Sequence, residues 1–149
     1  MLTCSVADLK TRVGQALGES QPHQITQAQV NEFADATGDH QWLHVDVERA
    51  KQGPYHGTIA HGFLTVSLLP VLLAECVQVT DARDAVNYGL NKLRFPAPVP
   101  TGSTVRGTLT LNSVEQAHGA LELAIGFDIR VDGAAKPSAV GESVVLLYQ

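Results

Sequence analysis

The amino-acid sequence predicts an α+β fold in which a curved antiparallel sheet wraps around one long buried helix. Two observations carry this prediction: a helical candidate at residues 58–79 is apolar on nearly every side, and apolar residues alternate strictly through residues 121–131. A helix that is apolar all round needs neighbours on every side, whereas alternation is typical of a strand with one buried face. Helical patterns fill the first half of the chain and strand patterns the second, so both kinds of element belong to one fold.

Further helical patterns precede the long one. Apolar residues at helical spacing predict a helix over residues 6–17. A capping box beginning at Thr26 opens a second helix, and Gly38 supplies its stop. A short helix is predicted over residues 47–52. Within the long helix, Pro70 should produce a kink or divide the helix into two pieces.

The second half of the chain is predicted to form an antiparallel meander. The predicted strands cover residues 87–95, 104–114, 121–131 and 143–148. His118-Gly119 is a turn candidate, and Asp132-Gly133 is a strong signal for a hairpin because both residue types tolerate positive φ. The expected architecture is therefore a sheet of consecutive strands lying against the buried helix.

Composition limits the class of protein. The chain has 149 residues, of which 44% are hydrophobic and 17% charged, and these values are typical of one soluble domain spanning residues 1–149. A net charge of −5 provides no basic field for nucleic acid or for an anionic membrane. No signal peptide or membrane span is recognisable, and the two cysteines lack metal or redox spacing, so we expect a cytoplasmic protein.

One polar cluster after the second predicted helix is suited to activating water. Asp39 follows the end of that helix, and His44 stands five residues later, beyond a predicted turn. A carboxylate at the negative end of a helix dipole is slightly unfavourable, which favours a functional role. The two side chains could hold one water and remove its proton. Alternatively, Asp39 caps the turn and His44 packs on Trp42 or Leu43, and residue types alone favour that structural interpretation.

A second cluster opens the long buried helix with the residues Ile-Ala-His-Gly. N–H groups at a helix N-terminus lack intrahelical acceptors, and glycine lets a carbonyl oxygen approach the backbone closely. Gly62 is therefore a candidate oxyanion donor for a thioester enolate, although it could equally serve close helix packing. Ser67, inside the helix, either points toward the water held by the pair or bonds back to a backbone carbonyl.

Three stretches of the sequence resemble one enzyme family. The run DHQWLH at 39–44 matches the Asp-x4-His motif of the MaoC-like family, the (R)-specific enoyl-CoA hydratases. The run HGFLTVS at 61–67 resembles the family's His-Gly helix start, with a serine six residues after the histidine. The run NKLRFPAPVPTGS at 91–103 is similar to the family's strand and turn after the central helix. The resemblance covers residues 25–148 and is closest to the nodulation-protein-N-like, single-hotdog branch.

The resemblance implies a hotdog fold and a homodimer with an acyl-thioester tunnel at the subunit interface. It implies hydration of trans-2-enoyl thioesters to (R)-3-hydroxyacyl thioesters, or the reverse dehydration, without a metal or redox cofactor. The acyl carrier is expected to be coenzyme A, with an acyl carrier protein as the alternative. Cations available for the coenzyme's phosphates are Arg94, Lys92, Arg49 and Lys51, although each is as readily a solvated surface charge.

Carried over by position, the resemblance assigns roles to four residues. Asp39 and His44 become the catalytic pair, Gly62 the oxyanion donor and Ser67 the supporting hydroxyl. We also expect Gln41 to support the site and Ile59, His61 and Arg94 to bind substrate. Gln41 departs from the family, in which many members have asparagine, but the longer amide can still order the loop.

Three other functions remain open at the level of sequence. A hotdog thioesterase would direct water at the carbonyl carbon, and the paired Asp39 and His44 argue instead for hydration. A non-catalytic acyl-thioester binding protein would bind without turnover. A metal site built from His40, His44, His56 and His61 lacks a recognised ligand spacing, so we expect no metal.

Overall fold

A six-stranded sheet is the largest element of the computed structural model, which describes all 149 residues. The strands are β1 (Leu2–Cys4), β2 (Ala16–Glu19), β3 (His23–Gln24), β4 (Val77–Val79), β5 (Asp84–Arg94), β6 (Thr104–Ala117), β7 (Ala120–Val131) and β8 (Ala139–Tyr148). The helices are α1 (Val6–Lys10), α2 (Gln27–Thr37), α3 (Trp42–Val45), α4 (Val47–Lys51), α5 (Gly62–Ser67) and α6 (Leu69–Cys76).

The strand order of the sheet is β2-β6-β7-β8-β5, and β3 also pairs with β6. All of these pairings are antiparallel, and β6, β7 and β8 form the predicted meander. Strand β5 does not join this meander in sequence order but pairs with β8, so it lies at one edge of the sheet. A second small sheet pairs β1 with β4 in parallel. The mixed helix-and-sheet architecture confirms the predicted α+β class.

The core lies between α6 and the inner face of the sheet. Alternate residues of β7 are buried, from Leu121 to Ile129, which confirms the strand predicted from strict alternation. Leu72 of α6 is fully buried, and a Cβ atom added at Gly107 would lie 2.8 Å from its Cδ1 atom. Glycine at that point of β6 therefore lets the helix lie close against the sheet. Full burial of one leucine contributes about 1.5–3 kcal/mol.

Local signals place α2 as the sequence predicts. The Thr26 hydroxyl accepts from the backbone N–H of Gln29, whose side chain in turn accepts from the N–H of Thr26. Gly38 ends the helix in the left-handed conformation, with φ 81°. The direction in which the chain leaves α2 is thus fixed by a glycine.

The longest helix of the protein is α2, with 11 residues. No helix is long and apolar enough to cross a membrane.

The helix predicted over residues 6–17 is wrong beyond its first turn. The helix α1 ends at Lys10, the chain turns at Gly14 with φ 82°, and Leu17 is buried as part of β2. Gly18 is not a helix stop but follows a register irregularity where β2 pairs with β6. Backbone pairing with a long neighbouring strand has overridden a local helical pattern.

The long helix predicted over residues 58–79 is shorter and divided. It begins at Gly62, breaks at Leu68 and resumes with Pro70 in its first turn, so the predicted division at Pro70 is confirmed. The residues before it are extended, and Ile59 forms a bridge with Pro100. The residues after Cys76 form β4 rather than a further helical turn.

The last strand is longer than predicted. Gly133 adopts φ 77° in a turn, as the Asp132-Gly133 signal predicts, and β8 begins at Ala139, four residues before the predicted start at Ser143. A short loop therefore separates the turn from the strand, and its last residue, Ser138, donates its N–H to Ile129 O at 2.7 Å. This loop brings Ser138 toward the N-terminus of α5, next to the site described below.

Candidate active site

The end of α2 positions Asp39. Because Gly38 turns the chain sharply, Asp39 leaves the helix with its side chain 54% exposed. Its Oδ1 atom accepts the backbone N–H of Gln41 at 3.3 Å, and its own N–H donates to Thr37 Oγ1 at 3.4 Å. The carboxylate therefore does cap the following turn, as its structural interpretation predicts, while Oδ2 faces the histidines described next.

His44 lies on α3 and is only 8% exposed. Its Nδ1 atom is 2.7 Å from Ile59 O, and since a carbonyl can only accept, Nδ1 carries the hydrogen. In the neutral ring this leaves the lone pair of Nε2 free to accept a proton. The backbone of His44 is fixed as well, because its carbonyl accepts from Gln27 Nε2 at 2.7 Å. Gln27 is in turn held by Thr58, whose hydroxyl donates to Gln27 Oε1 at 2.6 Å.

His61 completes the cluster. Its ring stacks on that of His44 with centroids 3.8 Å apart, and its Nε2 atom donates to Asp39 O at 2.9 Å. The same Nε2 lies 4.0 Å from Asp39 Oδ2. One polar side-chain atom from each of these three residues lies within 4.8 Å of the other two. The structure thus brings Asp39 and His44 together, as the spacing predicts, and adds His61 from a distant part of the chain.

A cleft of about 280 Å³ opens beside this cluster. Its lining includes His44, Ile59, Gly62, Thr65, Phe95 and Ser138. Gly62 is the first residue of α5, and no side chain caps this helix, so its first N–H groups lack side-chain acceptors. The lining therefore includes both a proton acceptor, His44, and the unsatisfied backbone donors of a helix N-terminus. Most of its remaining lining is apolar, which strengthens electrostatic interactions within it.

Two predicted residues do not join this cluster within one chain. Ser67 does not face Asp39 and His44. Its hydroxyl donates to Phe63 O at 2.6 Å, and the residue lines a separate groove together with residues of β5. Arg94 is exposed on β5 and donates to the carbonyl of its neighbour, Leu93.

The remaining predicted residues differ in how close they lie to the cluster of Asp39, His44 and His61. Gln41 sits in the turn that Asp39 caps, but its side chain makes no capping bond to α3. Ile59 supplies the carbonyl that orients His44. Of the proposed phosphate-binding cations, Arg49 lies over the Trp42 ring at 4.5 Å and Lys51 pairs with Glu48 at 2.7 Å.

Sequence reasoning missed Ser138. It is 3% exposed and lines the cleft, and its buried hydroxyl oxygen has no hydrogen-bond partner. Nothing in the run Lys136-Pro137-Ser138 indicates this position, because the loop reaches the cleft only through the pairing of β7 with β8. A buried polar atom without a partner is uncommon and is a candidate contact for a bound molecule.

The cluster of Asp39, His44 and His61 also has the chemistry of metal ligands. Nε2 is the nitrogen of His61 that faces Asp39, and because it carries the hydrogen donated to Asp39 O, it cannot ligate a metal shared with that carboxylate. Catalytic zinc sites use three protein ligands with free lone pairs. The arrangement fits proton transfer better than metal binding, and the absence of a metal from the reaction remains a prediction.

Comparison with known proteins identifies the family. Residues 8–126 match the family model described as MaoC like domain, so the chain belongs to the MaoC-like family. Among curated proteins, 3-hydroxyacyl-thioester dehydratase Z of Mycobacterium tuberculosis is 53% identical over 142 residues, which cover 95% of this chain and 94% of that protein. Nodulation protein N of Rhizobium leguminosarum bv. viciae is 43% identical over 130 residues, covering 86% and 80%. The predicted family resemblance is therefore confirmed.

Solved structures confirm the hotdog fold. An (R)-hydratase from A. caviae involved in PHA biosynthesis superposes with a TM-score of 0.75 at 26% identity, covering 91% of this chain and 96% of that one. A MaoC-like dehydratase from Rhodospirillum rubrum superposes with a TM-score of 0.77 at 19% identity and shares the fold.

Proposed function

We propose that this protein is a hydro-lyase that adds water to trans-2-enoyl thioesters to give (R)-3-hydroxyacyl thioesters, or catalyses the reverse dehydration. The observation that carries this proposal is the clustering of the Asp39 carboxylate with His44, whose Nδ1 is bonded to Ile59 O and whose Nε2 is free, next to a cleft that contains the N-terminus of α5. The names of the similar proteins, a 3-hydroxyacyl-thioester dehydratase and an (R)-hydratase, support the same reaction class.

In the proposed mechanism, Asp39 and His44 hold one water molecule between them. Nε2 of His44 or the carboxylate removes a proton from this water as its oxygen bonds to the β-carbon of the enoyl group. The electron pair of the double bond moves toward the thioester carbonyl, and the resulting enolate collapses as the α-carbon takes a proton from the pair. Water and enoyl thioester thus combine with no other reactant, and no metal or redox cofactor takes part.

The thioester carbonyl is placed at the first turn of α5. Negative charge develops on its oxygen during addition, and the N–H of Gly62 is positioned to donate to it. One such preorganised donor contributes about 3–4 kcal/mol to transition-state stabilisation. A thioesterase would instead need its water directed at the carbonyl carbon. In the proposed arrangement Asp39 and His44 hold the water while the N-terminus of α5 binds the carbonyl oxygen, so the water attacks the β-carbon and not the carbonyl carbon.

We also propose that the protein acts as a homodimer in which the edge strand β5 meets a second copy. One side of β5 has no neighbouring strand, and it carries exposed apolar side chains, including Tyr88 and Leu90. Phe63 on α5 is 65% exposed on the same side as Phe95, with ring centroids 5.9 Å apart. Unpaired edges and apolar patches of this kind are typical of subunit interfaces. The groove that contains Ser67 borders this surface, so any support from its hydroxyl belongs to the dimer.

The substrate carrier is proposed to be coenzyme A, with an acyl carrier protein as the alternative. Lys92 and Arg94 lie on β5, at the proposed interface, and neither forms a salt bridge with an acidic side chain. Both cations are therefore available for the phosphates of the coenzyme. A cytoplasmic location accords with a coenzyme A substrate and with two free, buried cysteines.

The experiment that tests the function compares active-site variants on a trans-2-enoyl-CoA. We expect the wild-type protein to consume the enoyl absorbance without releasing free thiol, and Asp39→Asn and His44→Ala to lose most of this turnover. His40→Ala is the matched control, because His40 is exposed and pairs with Asp35 at 2.8 Å outside the cleft. Release of free thiol would indicate a thioesterase instead. Tight binding without turnover by the wild type would indicate a binding protein.

A further inference from the structure

We infer that His61 is a positioning residue that holds Asp39, His44 and the start of α5 in one rigid arrangement, without itself contacting the substrate. This inference rests on the proposed hydratase function. The His61 side chain is 3% exposed, whereas that of Asp39 is 54% exposed and His44 lines the cleft, so a substrate meets these neighbours and not the His61 ring.

The first contact fixes the backbone of Asp39. Nε2 of His61 donates to Asp39 O at 2.9 Å, across a separation of 22 residues in sequence. Asp39 otherwise lies on an exposed turn that follows a glycine, where local interactions give little rigidity. The buried imidazole therefore supplies the long-range anchor that this turn needs to keep the carboxylate in place.

The second contact fixes the ring of His44. The rings of His44 and His61 are nearly parallel, with an interplanar angle of 26° and centroids 3.8 Å apart. The Phe33 ring, in α2, contacts His61 with centroids 4.9 Å apart. Together with the bond from Nδ1 to Ile59 O, the stacking restricts His44 to one ring orientation. The direction of its free Nε2 lone pair is thereby determined.

The third contact places the oxyanion donor. His61 immediately precedes Gly62, and its carbonyl accepts the N–H of Thr65, the bond that closes the first turn of α5. The same residue therefore bonds to Asp39 through its side chain and starts the helix through its backbone. Movement of the ring would change the separation between the water-activating pair and the Gly62 N–H.

The remaining ring nitrogen indicates that histidine is not present for stability alone. Nδ1 of His61 is buried and has no hydrogen-bond partner. Burying a polar atom unpaired is unfavourable, and an apolar side chain of similar volume would avoid that cost. Since the ring also packs on Phe33, where an apolar side chain would serve as well, the benefit of histidine lies in the contacts it makes to Asp39 and His44.

The test compares His61→Leu, which removes the donor, with His61→Gln, whose amide can still donate to Asp39 O. Misplacing catalytic groups by about 1 Å lowers rates roughly 100-fold, so we expect His61→Leu to lower kcat by about that factor with little change in KM. His61→Gln should recover part of the loss. The matched control makes the same two changes at His23, a half-buried histidine that pairs with Glu75 at 3.0 Å outside the cleft. Those variants should lose thermal stability but keep kcat.

A second measurement does not depend on activity. Hydrogen exchange of the amides of His40 and Gln41, whose acceptors are Gly38 O and Asp39 Oδ1, should quicken in His61→Leu and stay slow in the His23 variants. Unchanged exchange and near wild-type kcat in His61→Leu would overturn the inference, as would a raised KM with unchanged kcat, which would indicate substrate contact. If the wild type does not hydrate enoyl thioesters, the proposed function fails, and the exchange data alone decide whether His61 anchors the turn. If His61→Leu does not fold, the inference is tested by comparing kcat and amide exchange of His61→Gln with those of His23→Gln.

Discussion

Replacing Gly62 with alanine should separate catalysis from stability. A Cβ atom at this position would lie 3.0 Å from three atoms of the Phe95 ring, whereas ordinary contact begins at 3.4 Å. The ring must therefore move by about 0.4 Å, which a side chain 41% exposed at the rim of the cleft can do. Alanine in place of glycine stabilises a helix interior by about 0.5–1 kcal/mol, and at the first residue of α5 the gain is at most of this size. This gain offsets the strain at Phe95, so we expect the free energy of unfolding to change by no more than about 1 kcal/mol.

The same methyl group stands where the proposed thioester carbonyl approaches the backbone N–H. Losing one donor of this kind lowers kcat by about 100- to 1,000-fold. We therefore expect Gly62→Ala to lose kcat/KM by at least about 100-fold while its thermal unfolding midpoint stays near that of the wild type. The assay is steady-state hydration of a trans-2-enoyl-CoA, read beside thermal unfolding of the same preparation.

Gly57→Ala is the matched control for this experiment. A Cβ atom at Gly57 would meet nothing within 4 Å, and its φ is not in the left-handed region. The control should keep full activity and gain a few tenths of a kcal/mol of stability. Near wild-type activity of Gly62→Ala would refute the role assigned to the helix N-terminus. A loss of activity that merely follows a loss of folded protein would refute the reasoning about Phe95.

Three further predictions concern stability and the cleft. Glu75 accepts hydrogen bonds from His23 and from the Gln21 N–H, and the bond from His23 lowers the pKa of its carboxyl group, so Glu75→Gln should destabilise the fold at neutral pH. That contribution is present above the unfolded-state pKa and is lost as pH falls through the folded-state pKa, so the two unfolding curves should converge in acid and stay apart at pH 7. Leu72→Ala should cost about 2–5 kcal/mol in denaturant unfolding, because Leu72 is fully buried against the sheet, and a smaller cost would contradict its place in the core. Ser138→Ala removes a buried, unpartnered hydroxyl and should raise the unfolding midpoint while lowering kcat/KM. Unchanged kcat/KM would show that this hydroxyl does not serve the substrate.

Much of the fold could be predicted because its signals are local. The capping residues of α2 and the alternation of β7 specify those elements within a few residues of sequence. Strand β2 was missed because its identity depends on pairing with β6, about 90 residues further along the chain, and Leu17 fits a helical pattern equally well. The same limit applies to β4, which pairs with the N-terminal strand β1 and follows directly on α6. Long-range pairing decides such short segments, and local periodicity does not report it.

The candidate site divides in the same way. Asp39 and His44 are neighbours in sequence as well as in space, so their spacing predicted their proximity. The stacking of His61 on His44 depends on how α5 docks, and the sequence gives no measure of that distance. Of the two roles that the sequence leaves open for Ser67, the structure shows the bond back to a backbone carbonyl, here Phe63 O, as is usual for a hydroxyl inside a helix. Ser138 had no sequence signal, since only the folded loop brings it to the cleft.

The central claim is that Asp39 and His44 direct one water molecule to the β-carbon of an enoyl thioester with a fixed stereochemistry. It is tested most directly by incubating the wild-type protein with a short trans-2-enoyl-CoA and determining the configuration of the product by chiral analysis. The account predicts (R)-3-hydroxyacyl-CoA as the product, with the thioester intact. An (S) product, or free coenzyme A in place of a hydroxyacyl thioester, would contradict it.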